Sequence, residues 1–89
     1  MITFADSEAD VTPEQRRARL DELPPSAKLV FKVLETEAPL TQSEIAEKSR
    51  LSKRTTRYAL SELTDADLVE EDVFIPDARK RVYSPLPVT

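Results

Sequence analysis

Residues 39–63 read PLTQSEIAEKSRLSKRTTRYALSEL, and the helix signals in this stretch decide the fold. Thr41-Gln42-Ser43-Glu44 has the form of a capping box: the threonine hydroxyl accepts from the backbone N–H of Glu44, and the glutamate carboxylate reaches back to the N–H of Thr41. Leu40 and Ile45 occupy the two hydrophobic-staple positions around it, so a helix over 42–49 follows. Ser52 caps a second helix after only a few residues, and the stretch 52–65 holds no proline or glycine to break it. Two short helices joined by so tight a turn make a helix-turn-helix.

Placed on a wheel at 100° per residue, 52–63 divides into two faces. Ser52, Thr56, Ala59, Leu60 and Leu63 gather on the small or apolar side, which is expected to pack inward. Arg54, Arg57, Tyr58 and Ser61 gather on the other, at i, i+3, i+4 and i+7. An outward face of this chemistry suits a DNA major groove, which admits one α-helix and displays base edges to its N-terminal part. Either arginine can pair with guanine O6 and N7, a contact that discriminates by roughly 1–3 kcal/mol. Lys53 and Thr55 flank the face within reach of phosphates, and Tyr58 offers a ring to a thymine methyl. The free N–H groups at both helix starts favour phosphate oxygens, which puts Thr41, Gln42 and Ser52 beside the backbone.

Working outward, Thr12-Pro13 reads as a cap and first helical residue, opening a helix over 12–23 whose apolar stripe (Ala18, Leu20, Leu23) is weak and which Pro24 and Pro25 stop. Ser26 is expected to cap a helix over 26–37. There Ala27, Val30, Phe31 and Leu34 fall at helical spacing, and Leu29 and Val33 widen the buried face. Downstream, 68–84 reads as a hairpin: β-formers at the ends of Leu68–Phe74, a turn at Ile75-Pro76-Asp77-Ala78, and a short strand over Arg81–Ser84 closed by Pro85 and Pro87. Its tip carries Arg79, Lys80 and Arg81, with Asp77 placed to hold Arg79 extended through an ion pair. Cations on such a tip reach an adjacent minor groove or backbone, since narrow minor grooves attract arginine. The expected fold is mainly α with a small β-hairpin (α+β): a winged helix-turn-helix with a three-helix core, an N-terminal helix and a wing, one domain over 12–86. Residues 1–11 are polar and acidic without a period, and read as a disordered tail.

Composition bounds the chemistry. Eighty-nine residues suffice for one domain. The chain has no His and no Cys, so a Cys/His zinc site and a Ser-His or Cys-His catalytic pair are excluded, and neither an enzyme nor a cofactor is expected. No apolar run approaches the roughly 20 residues that cross a bilayer, and the first ten residues lack the form of a signal peptide, which makes a cytoplasmic location the expectation. The net charge of −4 argues at first against a nucleic-acid partner. The charge is segregated, however. Residues 50–61 hold Arg50, Lys53, Arg54 and Arg57 and no acid, 62–72 hold six acids and no base, and 73–89 set Arg79, Lys80 and Arg81 against Asp77 alone. Binding answers to the local field, and two basic clusters stand on an acidic body.

Over 23–84 the chain resembles the MarR-like winged helix-turn-helix regulators, and in length and acidity the short single-domain versions found in halophilic archaea. The resemblance rests on LPPSAKLVFKVLE (23–35), PLTQSEIAEKS (39–49), LSKRTTRYALSEL (51–63), DLVEED (67–72) and DARKRVY (77–83). It implies DNA contacts from Ser52, Lys53, Arg54, Thr55, Arg57, Tyr58 and Arg79, with the Asp77-x-Arg79 wing similar to one whose arginine enters the minor groove. Two positions depart from the pattern: Arg50 and Asp67 stand where the family often has glycine. Larger members add a C-terminal helix that completes a dimer and a ligand pocket, whereas this sequence stops at Thr89, so no small-molecule effector is expected.

The partner expected from these readings is double-stranded DNA. If about six phosphates are neutralised, log K falls with a slope of roughly −5 against log salt, so binding at high salt needs more direct readout, more shape complementarity, or pairing of two protomers on one site. The last of these predicts a homodimer, with Leu20, Leu23, Leu29 and Val33 as candidate interface residues and a near-palindromic site whose half-sites lie about one helical turn apart. The competing reading is a winged-helix module for protein contact without base readout, favoured by the acidic body and the absence of glycine.

Overall fold

A computed structural model describes residues 11–88; the tail expected over 1–11 falls, apart from Val11, outside the described residues. Four helices and three short strands follow in the order α1 (Pro13–Asp21), α2 (Pro25–Glu37), β1 (Leu40–Thr41), α3 (Gln42–Ser49), α4 (Lys53–Asp65), β2 (Val69–Val73) and β3 (Arg81–Pro85). The fold is mainly helical with a small antiparallel sheet.

The caps explain most of the boundaries. At Thr41 both halves of the capping box form: the Glu44 N–H donates to the threonine hydroxyl at 3.2 Å, and the Thr41 N–H to the Glu44 carboxylate at 2.8 Å. Thr12 builds a second box with Gln15, a pairing the sequence reading missed. Ser52 caps α4 through the Thr55 N–H at 3.0 Å. The cap expected at Ser26 does not exist. Pro24 holds the N-cap position with extended backbone, Pro25 begins α2, and Ser26 lies inside the first turn. Proline at the first helical position wastes no hydrogen bond, because that N–H has no helical partner anyway. α1 also ends earlier than expected, at Asp21, with Glu22 as its cap and Leu23 outside it.

β1 is the element the sequence did not announce. Its two residues pair with β3 (Leu40 opposite Tyr83, Thr41 opposite Val82), giving a sheet of order β1-β3-β2. β3 extends one residue beyond the expected Ser84 and includes Pro85. The hairpin register sets Glu71 opposite Tyr83 and Val73 opposite Arg81.

The core is contiguous. Ala27, Val30, Phe31 and Leu34 of α2 meet Ile45 of α3, Ala59, Leu60 and Leu63 of α4, and Leu40, Leu68 and Val69 around the sheet. Four of the five residues assigned to the inner face of α4 are at or near that core, Thr56 included, while Ser52 is exposed at the cap. α1 contributes no buried residue. Its attachment is polar as well as apolar: the Arg16 Nε–H donates to the Asp67 carbonyl at 3.1 Å and its Nη1–H to that of Pro87 at 3.2 Å, and Arg19 donates to the Ala66 carbonyl at 3.0 Å. These guanidinium groups tie α1 to the C-terminal end of α4 and the base of the wing.

Candidate nucleic-acid interface

Two tight turns orient the interface, and each needs a residue at positive φ. Arg50 closes α3 at φ 65°, and Asp67 lies between α4 and β2 at φ 62°. The turns usually made by glycine are thus made here by residues carrying a Cβ, which costs roughly 1–2 kcal/mol in the left-handed region, least for Asp and Asn. Around Arg50 the chain is held by Ser49, whose buried hydroxyl donates to the Ala46 carbonyl and accepts from the Leu51 N–H, each at 3.4 Å. Around Asp67, the Leu68 N–H donates to the Leu63 carbonyl at 2.9 Å and the Asp67 N–H to that of Thr64 at 3.0 Å. The helix-turn-helix angle and the launch of the wing are therefore both fixed locally.

With Thr56, Ala59, Leu60 and Leu63 turned inward, the opposite side of α4 faces solvent. Arg54, Thr55, Arg57, Tyr58 and Ser61 line one shallow, open concavity along it. Arg54, Arg57 and Tyr58 are exposed, the tyrosine at 64%. The ion pairs formed among the described residues involve Arg17, Lys48, Arg79 and Arg81, so none neutralises Lys53, Arg54, Arg57 or Lys80. A second groove runs between the start of α3 and the wing, lined by Thr41, Gln42, Ser43, Lys53, Arg79, Lys80, Arg81 and Tyr83. A smaller hollow that shares Arg57 and Ser61 with the first and Gln42 and Tyr83 with the second lies between the two, and Asp65 and Glu71 also line it. Residues from four elements thus form one polar surface, cationic in its two main grooves and acidic where they meet. Eleven of the twelve residues expected from the sequence line these two main grooves. Ser52 lies beside them, next to Lys53 on the turn side, its hydroxyl donating to Thr55 Oγ1 at 3.0 Å.

The wing cations differ in their freedom. Arg79 reaches Asp77 through Nε–H at 3.3 Å, and its backbone N–H donates to the same carboxylate at 3.1 Å, while its side chain stays 90% exposed. Those two bonds to Arg79 hold the Asp77 carboxyl below its ordinary carboxylate value. Arg81 is not a free tip residue. It starts β3, pairs with Glu71 at 3.3 Å and donates to the Ala78 carbonyl at 3.3 Å. Ser43 and Tyr83 line the groove without having been singled out from sequence. Burial, and then the neighbouring Glu71 charge, push the Tyr83 phenol up from its ordinary value. Among the described residues no group of three His, Cys, Asp or Glu is arranged to hold a metal ion.

The four candidate interface residues divide differently. Leu20, Leu23 and Val33 are partly buried against the chain's own core, and only Leu29, at 41%, is exposed.

Residues 26–70 match the family model described as winged helix-turn-helix DNA-binding, half of the chain, and the protein belongs to that family. The family is DNA-binding rather than enzymatic. Among solved structures the fold is similar to that of the PcaV transcriptional regulator from Streptomyces coelicolor in complex with its natural ligand, with a TM-score of 0.70 and 22% identity over 73% of this chain and 46% of that one. It is similar also to a MarR family transcription regulator (TM-score 0.72, 15% identity, 97% of this chain and 56% of that one). A third is the S. aureus MepR–DNA complex (TM-score 0.68, 20% identity, 94% and 65%). At these identities the likeness is one of fold, that of MarR-family proteins, and the chain spans about half the length of the first of these structures. No curated protein matches the sequence. Among the described residues no helix is long and apolar enough to cross a membrane.

Proposed function

We propose that the protein is a sequence-specific transcription regulator that binds double-stranded DNA, with α4 in the major groove and the wing on the adjacent minor groove or backbone. The observation that carries this reading is the outward face of α4: Arg54 and Arg57 are exposed and in no ion pair, in a chain whose net charge is −4. Base readout falls to Arg54, Arg57 and Tyr58, with Ser61 further along the same groove. Backbone positioning falls to Thr41, Gln42, Ser52, Lys53, Thr55 and Lys80, and Arg79 is the minor-groove arginine. Arg81 acts nearer the wing's middle, where Glu71 shares its charge.

The functional unit in this proposal is residues 12–86, acting as a cytoplasmic homodimer on a near-palindromic site. The DNA-bound MepR structure, of similar fold, supports the DNA part of the reading. The likeness to short regulators of halophilic archaea belongs here as well, its support being 17 acidic against 13 basic residues.

The test is a duplex selected from random sequence by the protein, then titrated with variants. Arg54→Ala and Arg57→Ala are each expected to weaken binding by roughly 5- to 150-fold and to relax preference at one or two positions. Lys53→Ala is expected to weaken all duplexes alike and to reduce the salt slope by about 1. Retention of full affinity by Arg54→Ala/Arg57→Ala would transfer the argument to the protein-contact module.

A further inference from the structure

The wing tip carries a side chain that the electrostatic account does not use. Ile75 is 86% exposed, more than any other large hydrophobic among the described residues, and Val73, at 39%, lies two residues before it. A single exposed apolar residue is ordinary. What distinguishes Ile75 is how firmly it is presented. The tip consists of two consecutive β-turns that share Asp77: the Asp77 N–H donates to the Phe74 carbonyl at 3.0 Å, and the Lys80 N–H to the Asp77 carbonyl at 2.9 Å. The Phe74 N–H closes both turns onto the Lys80 carbonyl at 3.0 Å. Ile75 occupies the second position of the first turn, and Arg79 the third position of the next. Pro76 restricts the Ile75 backbone to extended conformations. Asp77, bonded to the backbone and guanidinium of Arg79, braces the junction between them.

We infer that Ile75 is a DNA-contacting residue, an apolar wedge that enters the minor groove beside Arg79 and packs against deoxyribose walls and the base step at its floor. This rests on the proposed DNA-binding function and adds to it a salt-independent source of affinity. The occupant is DNA rather than another protein because Ile75 shares its hydrogen-bonded tip with Arg79 and Lys80, which line the cationic groove. The chemistry is complementary. Isoleucine is among the side chains that wedge between base steps, and the sugar edges of the minor groove are apolar. The guanidinium answers the groove's negative potential, while burying isoleucine releases no counterion.

The test compares the full chain with Ile75→Ala, Ile75→Ser and Arg79→Ala on the selected duplex, each across a salt series. Ile75→Ala is expected to raise Kd by about 5- to 20-fold, with the slope of log Kd against log salt unchanged. Ile75→Ser is expected to be weaker still. Arg79→Ala reduces the slope by about 1. Since Ile75 makes little contact in the free protein, neither of its variants is expected to move Tm, which separates lost contact from lost fold. Wild-type affinity in Ile75→Ala, or a reduced salt slope in that variant, overturns the wedge while leaving the regulator reading intact. Failure of the wild-type chain to retain any duplex overturns both.

Discussion

Arg50 and Asp67 show how a sequence departure is absorbed. Glycine is the least costly residue at positive φ, and the chain has none. Arg50→Gly is therefore expected to stabilise the protein by roughly 0.5–1 kcal/mol in chemical denaturation, the relief of strain outweighing the extra freedom gained by the unfolded chain. Thr56 is the second place where stability is withheld. It is fully buried in α4, and its hydroxyl has no hydrogen-bond partner among the described residues. Thr56→Val removes the unpaired group at nearly constant shape and is expected to gain about 1 kcal/mol, or roughly 4–8 °C in Tm. Asp77 gives a pH-dependent prediction. Its folded pKa is lowered, so the stabilisation from its bonds to Arg79 is present above the ordinary carboxylate value and lost as pH falls through the lowered one. NMR titration of its carboxyl is expected to show a midpoint below about 3.9, returning toward that value in Arg79→Ala; an unmoved midpoint in the variant would remove the pair from the account.

At the scale of elements, what could be read in advance depended on whether a signal was local. The 42–49 helix was legible because its capping box (Thr41 to Glu44) and staple (Leu40 and Ile45) lie at or immediately before its start, and the box does form. Thr41→Ala is expected to cost about 1 kcal/mol. The outward face of α4 was equally legible, since helical periodicity alone sorts inner from outer residues. The start of α2 was misread because Ser26 is a common capping residue, whereas the Pro24-Pro25 pair had already placed the backbone for helix entry, with the cap two residues earlier at Pro24. β1 was invisible for another reason: two residues carry no period, and only the distant β3 makes them a strand. The arginine ties of α1 were missed likewise, as their acceptors are carbonyls 47 to 71 residues away in sequence. Arg16→Ala/Arg19→Ala is expected to release α1, its amides losing hydrogen-exchange protection while those of Ala59–Leu63 keep theirs. Parallel loss in both helices would mean that α1 is integral to the core.

For the whole molecule, the proposed DNA partner has to be met by a chain of net negative charge, and the charges are separated in part: Glu71 pairs with Arg81, and Asp65 lines a hollow with Arg57. The acids of 62–72 fall on the C-terminal part of α4, on the turn after it and on β2, while Lys53, Arg54 and Arg57 converge with Arg79, Lys80 and Arg81 on the grooves between α4, the start of α3 and the wing. Residues far apart in sequence form one surface because the Asp67 turn sends the wing back alongside the helix. That convergence was legible only as two separate clusters. The dimer proposal is narrower after the structure than before it, because Leu20, Leu23 and Val33 already pack on the protomer's own core and Leu29 alone is exposed. In the proposed function Arg54 and Arg57, exposed on the outer side of α4, read base edges. The decisive measurement is selection of bound duplexes from a random pool, run in parallel with the wild-type chain and with Arg54→Ala/Arg57→Ala. One recurrent motif is expected from the wild type, with guanine preference lost in the variant; an identical motif from both proteins, or none from the wild type, would overturn base readout by these two arginines.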